Sequence, residues 1–401
     1  MSDDTPSART SVDVHLDRVL DALEVLRRRN LETLELADAL GRVTFDDVRS
    51  PIDLPPFRNS QMDGYAVRAA DVASAPVSLP VGGEVAAAPG APAALTPGTA
   101  VKIMTGAPVP EGADTIVPVE DTLFVNDHVS IARGRAVGEY VRDAGSDLHA
   151  GDVVVPWGTR LSSRHLAALA AASITDVDVM DRPRVAIIST GSELVAPGEP
   201  LGPGQIPDSN GVALAAAVEA AGAEVVLRAR VQDDTGRLAE LLDEAVSLGA
   251  EIVITTGGIS MGDHEVVREL LEPQGALIDV LAMQPGGPQA LGDWDLPVIC
   301  FPGNPVSSQL SFELFVAPLL RELAGLPARV VETRVLDSAV RSIAGRRQFL
   351  RGKRTGRDGV TTVGGPSSHL VAALAASDVL IVVPEDATEL AAGDSVETWE
   401  L

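Results

Sequence analysis

The chain has 401 residues, which is too long for a single ordinary hydrophobic core, so we expect two to four domains. Its net charge is −26, and such an acidic surface argues against nucleic acid and anionic membranes as partners. Cys300 is the only cysteine, which excludes a disulfide framework and a zinc site made of clustered cysteines.

The N-terminal third predicts a helical piece interrupted by a β-rich insertion. Residues 1–10 are predicted to be a disordered tail, and the apolar spacing of residues 11–40 predicts helix up to Gly41. Between residues 50 and 140, proline, glycine and short valine runs predict small strands. A helix capped by Ser162 or Ser163 is predicted at 161–172. We therefore predict a discontinuous helical and linker domain, 11–49 with 141–180, around an inserted β-rich domain, 50–140.

Strand and helix patterns alternate over the next segment, and this alternation predicts an α/β domain at 181–326. It indicates a parallel sheet covered by helices on both faces, which makes three layers. Strands are predicted at 184–189, 223–230, 251–256, 277–283 and 297–301, and helices at 210–221, 235–248, 263–272 and 306–324.

After Pro327 the pattern changes to short strands and turns, including 330–336, 359–363 and 379–383. These strands are typical of a small β-barrel or sandwich, and we predict a β-barrel domain at 327–401. The fold class is thus multidomain α/β plus β. The sequence contains no apolar stretch of transmembrane length and no signal-peptide pattern at its Asp-rich start, so we expect a cytoplasmic location.

Three carboxylates follow three of the predicted strands. Glu193, Asp233 and Glu265 each come shortly after a strand of the α/β domain. Because the carboxyl ends of parallel strands meet at one edge of a sheet, we expect these side chains to share a site. Three acids repel one another unless a hard cation or a proton joins them, so the pattern indicates Mg²⁺.

Glycine- and proline-rich turns accompany these acids. Gly257 and Gly258 open a turn between a strand and a helix, which is either a cradle for phosphate or a tight turn that merely requires glycine. The segment 301–307 is either a rigid wall of a ligand pocket or a stiff connection. Asp63, in an Asp-Gly turn, and Thr105, in a turn-rich loop, are each a turn residue or a ligand contact, and the pattern alone does not decide.

Taken together, these segments resemble the family of molybdopterin molybdenumtransferases, which includes MoeA and the gephyrin E domain. The resemblance runs from about residue 11 to the C-terminus. It rests on PPFRNSQMDGYAVR (55–68), IMTGAPVPEGA (103–113), STGSEL (189–194), TGGISMG (256–262) and FPGNPVS (301–307).

The resemblance implies a reaction and an assembly. Members of the family insert molybdate into adenylyl-molybdopterin with Mg²⁺ and release AMP. They form an elongated homodimer in which the active-site cleft lies between the α/β domain of one protomer and the inserted β domain of its partner.

The family's functional positions fall on residues of this chain. The resemblance implies catalytic roles for Asp63, Thr105, Glu193, Asp233 and Glu265, and metal binding by Glu193, Asp233 and Glu265. It implies substrate binding by Ser60, Thr190, Gly257, Gly258, Ser260, Pro302, Asn304 and Pro305.

The chain departs from the family pattern at several positions. Glu265 stands where Asp is usual, and Ser192 replaces an acid. Gln284 and Gly287 stand where two lysines are usual, which removes two positive charges from the site, and the candidate replacements are Arg58, Arg347 and Arg351. Two other functions stay open: an enzyme like molybdopterin adenylyltransferase, and a catalytically weak paralogue that acts as a scaffold.

Overall fold

The computed structural model describes residues 9–259 and 265–401, which divide into two compact units. The α/β unit comprises the residues up to Asn30 together with Met180–Leu401, and the insert unit comprises Leu31–Val179. The structure thus splits the predicted segment 11–49 between the two units. The predicted tail 1–10 lies mostly outside the described residues, although the backbone of Thr10 pairs with segment 280–282.

A six-stranded sheet forms the centre of the α/β unit. Its inner strands are almost wholly buried, which explains why they read as continuous apolar runs in the sequence. The first four strands are parallel, as predicted, and the last two pair antiparallel at one edge. In spatial order the strands are Glu224–Val231, Arg184–Thr190, Ile252–Thr256, Pro297–Phe301, Pro288–Asp293 and Leu277–Val280. The strand Pro288–Asp293 was not predicted.

Helices cover both faces of this sheet, which confirms the three-layer prediction. Ile187 and Ile188, neighbours on one strand, point into two separate cores. The helices on the Ile187 face are Val12–Ala22, Asn210–Ala220, Pro305–Phe315 and Ala317–Leu323; those on the Ile188 face are Thr235–Ser247 and Val266–Leu271.

The helix predicted at 306–324 is in fact two helices. Val316 leaves regular helical geometry with φ −117°, and Pro318 has no N–H to donate within the helix. These two features explain the break between Phe315 and Ala317.

The C-terminal part of the α/β unit is a closed five-stranded barrel, as predicted. Its strands are Val331–Leu336, Arg347–Thr355, Gly359–Thr362, Val379–Val383 and Ser395–Glu400. Each strand pairs with two others, so the barrel has no open edge. The short strand Met283–Gln284 pairs with the start of Arg347–Thr355 and so joins the α/β domain to the barrel. Shorter elements are the helix Val371–Ala375, the strand pair Val340–Arg341 and Glu389–Leu390, and the strand pair Leu194–Val195 and Ile206–Pro207.

The insert unit contains a second six-stranded sheet. In spatial order its strands are Thr115–Pro118, Gly64–Val67, Ala100–Ile103, Val77–Val85, His128–Ile131 and Thr122–Val125. The predicted helix is present as Ser163–Ala171 with Ser162 as its cap residue. Residues 31–35, predicted as helix, form the strand Leu31–Glu35, because their backbone groups pair with the strand Asp176–Met180 instead of with one another. Smaller elements are Val48–Arg49 with Val153–Val155, Asn59–Ser60 with Val141–Arg142, Asp176–Met180 with the strand Leu31–Glu35, and the helix Ala69–Val72.

Among the described residues, no helix combines the length and the apolar character needed to cross a membrane.

Candidate functional site

A cavity of about 890 Å³ opens at the carboxyl ends of the parallel strands in the α/β unit. Glu193, Asp233 and Glu265 all line it, although they are far apart in the sequence. The predicted substrate-binding residues of this unit that line it are Thr190, Gly257, Gly258, Pro302, Asn304 and Pro305. Ser260, predicted as a further contact, lies outside the described residues.

Asp233 is held in place by the loop that carries Glu193. The backbone N–H of Ser192 donates to the Asp233 carboxylate at 3.2 Å, and the backbone N–H of Asp233 donates to Ser192 Oγ at 3.2 Å. This reciprocal pair orients the Asp233 carboxylate at the rim of the cavity. Ser192, which stands where the family has an acid, therefore has a structural task in this chain.

The three carboxylates share the cavity without forming a cluster. No three His, Cys, Asp or Glu side chains within residues 9–259 and 265–401 lie close enough together to hold a metal ion. Their chemistry nevertheless suits a hard cation, because carboxylate oxygens are the ligands that Mg²⁺ prefers. The arrangement offers separate acidic ligands around a space, to which a substrate could add further oxygens.

The glycine turn after strand Ile252–Thr256 requires glycine for a physical reason. Gly257 has φ +93°, and a Cβ added there would lie 2.6 Å from the carbonyl oxygen of Thr190. Its N–H donates to the carbonyl of Phe301 at 3.0 Å, so this N–H is already occupied. Of the two glycines expected to hold phosphate through the backbone, Gly258 is the better candidate.

Sequence reasoning missed two polar residues at the start of helix Asn210–Ala220. Asp208 and Asn210 line the cavity and are 5% and 8% exposed. Asp208 accepts hydrogen bonds from Ser189 Oγ at 3.1 Å and from the Gly211 N–H at 2.9 Å. The signal was present as Asp-Ser-Asn ahead of a predicted helix, but such residues are typical of helix caps and gave no reason to expect a site.

One wall of the cavity comes from the C-terminal barrel, which sequence reasoning also missed. Ser367, Ser368 and His369 line the cavity. The carbonyl of Ser368 accepts the backbone N–H of Val306 at 3.0 Å, in the first turn of helix Pro305–Phe315. This bond ties the barrel to the 302–305 loop and uses one of the N–H donors that a helix start could offer to an anion.

The positions that lack the family's lysines lie at the cavity as well. Gln284 lines it, and its side-chain oxygen accepts a hydrogen bond from Gln348 Nε2 at 2.9 Å. Gly287 follows Gly286, another lining residue.

The three arginines proposed as replacements differ sharply. Arg58, in the insert unit, pairs with Asp143 at 3.2 Å, and Arg347 makes two hydrogen bonds of 2.9 Å to Asp13. Arg351 is almost completely buried, and its guanidinium donates a hydrogen bond to the carbonyl of Gly365. Its Nε and Nη1 have no hydrogen-bond partner among the described residues, and burial lowers the pKa of its guanidinium. Arg351 therefore has two buried donors without a partner among the described residues, although it does not itself line the cavity.

Asp63 and Thr105 form a pair within the insert unit. The Asp63 carboxylate accepts the backbone N–H of Thr105 at 2.7 Å and its hydroxyl at 2.8 Å. These two hydrogen bonds, the backbone one first, lower the pKa of Asp63. Ser60, predicted to bind substrate, is buried and donates its hydroxyl to the Met62 carbonyl at 2.6 Å. The structure thus brings Asp63 and Thr105 together and gives Ser60 a local bond in a turn.

Three family models match consecutive parts of the chain. Residues 10–173 match the MoeA N-terminal region (domain I and II), residues 186–322 match a probable molybdopterin binding domain, and residues 333–401 match the MoeA C-terminal region (domain IV).

Similar proteins match nearly the whole chain. The "Molybdopterin molybdenumtransferase 2" of Mycobacterium tuberculosis is 42% identical over 94% of this chain and 97% of its own length. The "Molybdopterin molybdenumtransferase" of a Nostoc species is 37% identical over 99% of this chain and 94% of its own. A crystal structure of the molybdopterin biosynthesis MoeA protein from Pyrococcus horikoshii has a TM-score of 0.82 at 34% identity, covering 98% of this chain and 99% of that one. The chain therefore belongs to the MoeA family of molybdenum cofactor biosynthesis.

Proposed function

We propose that this chain, a transferase of molybdenum cofactor biosynthesis by its family, inserts molybdate into adenylyl-molybdopterin with the help of Mg²⁺ and releases AMP. We propose further that it works as a cytoplasmic homodimer whose active site is shared between chains. The observation that carries the proposal is the cavity at the carboxyl ends of the strands, which three acids line together with a glycine turn and a proline-stiffened loop.

The acids support the metal-assisted part of the proposal. Glu193, Asp233 and Glu265 would hold Mg²⁺, which usually binds proteins through one or two carboxylates and completes its shell with substrate phosphates and water. A cluster of three ready-made ligands is therefore not required. When bound, the ion would neutralise the oxygens of the scissile phosphoanhydride.

Other residues of the cavity support binding of an anionic substrate. The turn at Gly258 brings backbone close to the cavity, where a phosphate group could approach without meeting a side chain. The groups we assign to molybdate or phosphate in place of the family's lysines are the carboxamide of Gln284, which lines the cavity, and the guanidinium of Arg351. Arg351 does not itself line the cavity, but it bonds the carbonyl of Gly365, which adjoins the lining residue Pro366. Arg351 would have to give up its bond to the Gly365 carbonyl to take this role.

The insert unit would supply the remaining contacts. The lowered pKa of Asp63 favours its ionised form, and this carboxylate accepts a hydrogen bond from the Thr105 hydroxyl. We propose that this pair, from the partner chain, orients molybdate over the cavity of the first chain. The two chains of a symmetric homodimer would then form two equal sites.

The test is a matched pair of neighbouring substitutions. Asp233→Asn keeps the shape and the bonds with Ser192 but removes the charge, and we expect molybdate-dependent cofactor formation to fall by on the order of 10². Asp234→Asn is the control, because Asp234 does not line the cavity and only caps helix Thr235–Ser247, a task that Asn performs equally well. Turnover of Asp233→Asn close to that of Asp234→Asn, at saturating Mg²⁺, would contradict the proposal.

The same assay separates the two other functions. An adenylyltransferase would consume ATP and make the adenylate, whereas the proposed enzyme consumes the adenylate and releases AMP without added ATP. A scaffold would do neither. Quantifying AMP release from purified adenylyl-molybdopterin, with and without molybdate and ATP, therefore distinguishes all three.

A further inference from the structure

The carboxamide of Asn210 lies between two walls of the cavity. Its Nδ2 donates to Thr256 Oγ1 at 2.8 Å and to the carbonyl oxygen of Gly303 at 2.7 Å. Thr256 immediately precedes the glycine turn, and Gly303 lies in the 302–305 loop. One amide group therefore bonds both loops at once.

The chemistry of the acceptors determines the orientation of this amide. The Gly303 carbonyl can only accept, so the atom 2.7 Å from it has to be the nitrogen; an amide oxygen there would face another oxygen. With both Nδ2 protons used in this way, the Thr256 hydroxyl is free to donate to the carbonyl of Pro302 at 3.3 Å. The three bonds form one buried network across the two loops.

This network leaves a buried acceptor unsatisfied. Asn210 Oδ1 has no hydrogen-bond partner among the described residues, and the side chain is 8% exposed. An unpaired buried polar group destabilises the fold, so such groups in folded proteins call for an explanation. Here the two N–H bonds to the loops fix the orientation of the amide, and in this orientation its oxygen has no partner among the described residues.

The two loops also touch directly. A Cβ added at Gly303 would lie 3.3 Å from Gly257 Cα, and the Gly257 N–H donates to the Phe301 carbonyl. The width of the cavity between these walls therefore depends on how closely the loops are held together.

We infer that Asn210 is a positioning residue that clamps the 256–258 turn to the 302–305 loop and so sets the gap in which the phosphate of the substrate or of AMP is held. The inference rests on the proposed function, since it takes the group held in this gap to be the phosphate of an adenylyl group. Asn210 acts through the loops, and the inference assigns it no contact with the reacting atoms.

The test uses Asn210→Asp, which keeps the shape but places an oxygen against the Gly303 carbonyl, with which it cannot bond, whereas the Thr256 hydroxyl can still donate to it. Ser189→Ala is the matched control, because it removes an equally buried hydrogen bond, to Asp208, that touches neither loop. The first readout is hydrogen exchange of the Gly257 amide, which needs no ligand. We expect it to speed up at least tenfold in Asn210→Asp and to stay within twofold in Ser189→Ala.

The second readout is the Kd of AMP with Mg²⁺, measured by calorimetry. We expect at least a tenfold weaker Kd for Asn210→Asp, which corresponds to about 1.4 kcal/mol, and less than a twofold change for Ser189→Ala. Lowering the pH should restore part of the affinity, because the new carboxyl group, once protonated, can again donate to Gly303. If Asn210→Asp does not fold, Asn210→Ala replaces it, since alanine removes both N–H donors.

The outcomes separate the inference from the proposed function. Unchanged exchange at Gly257 in the Asn210 variant overturns the clamp. Faster exchange with an unchanged AMP Kd overturns its role in positioning. If the wild-type protein does not bind AMP, the proposed function fails and takes the positioning role with it, while the exchange measurement still decides whether the clamp exists.

Discussion

Replacing Arg351 by methionine should make the ligand-free protein more stable, against the usual effect of changing a buried residue. Arg351 lies on the barrel strand Arg347–Thr355 and is 1% exposed. Its guanidinium bonds the Gly365 carbonyl, whereas Nε and Nη1 have no hydrogen-bond partner among the described residues. Burial without a neighbouring carboxylate is also what lowers its pKa.

The expected change in the free energy of unfolding follows from these buried donors without a hydrogen-bond partner. A buried donor without a partner costs about 1–3 kcal/mol, and two nitrogens of Arg351 are in this position. Methionine fills a similar elongated space without donors or charge. After allowing for imperfect packing, we expect a gain of about 2 kcal/mol in the free energy of unfolding, or roughly 4–8 °C in Tm for a unit of this size.

The same substitution should abolish the stabilisation of the protein by molybdate. If Arg351 serves the substrate anion, molybdate should stabilise the wild-type protein by about 1.4 kcal/mol at ten times its Kd. Arg351→Met should not respond. The assay is thermal unfolding at increasing molybdate, with sulfate at equal ionic strength as the comparison salt.

Arg347→Met is the matched control on the same strand. Arg347 makes two hydrogen bonds of 2.9 Å to Asp13, so its loss should lower stability slightly and leave the response to molybdate intact. A lower Tm for Arg351→Met than for the wild type without ligand, or an unchanged shift with molybdate, would refute the reasoning from its unmet donors.

Three further predictions concern other parts of the molecule. Gly257→Ala should destabilise the α/β unit by roughly 2 kcal/mol or more, because φ is +93° and the new Cβ would lie 2.6 Å from the Thr190 carbonyl; an unchanged urea midpoint would contradict this. Burial lowers the pKa of His15 to about 4, below its value near 6.5 in the unfolded chain, so between these values only the unfolded state takes up the proton. Stability should therefore be complete above pH 6.5 and fall by on the order of 3 kcal/mol as the pH drops to 4, and urea unfolding across this range should show no such slope in His15→Leu. Mixing inactive Asp63→Ala and Glu193→Ala chains should restore roughly a quarter of wild-type molybdate insertion, since half of the dimers carry one intact site; continued inactivity after verified subunit exchange would place the whole site in one chain.

The sequence by itself determined the architecture and the acidic edge of the site. Strands buried on both faces read as apolar runs, and their alternation with helices was enough to predict the three-layer domain. Because parallel strands end at the same edge of a sheet, the positions of Glu193, Asp233 and Glu265 after three strands predicted that they would share one cavity, as they do. The two turns, at Gly257 and at Pro302, were recognisable because glycine and proline restrict the backbone in characteristic ways.

Only the tertiary structure decided how the cavity is closed. Asn210 looks like an ordinary residue of a helix start, and its bond to Gly303 spans 93 positions of the chain. The contact of Ser368 with Val306 depends on how the barrel packs against the α/β domain, and no local pattern records it. Arg351 sits in a strand whose burial follows from closure of the barrel, so its sequence neighbours do not reveal that two of its guanidinium nitrogens have no partner among the described residues. Local sequence patterns indicate the conformation of the backbone. Long-range hydrogen bonds, and buried groups left without a partner, depend on residues that come into contact only after the chain has folded.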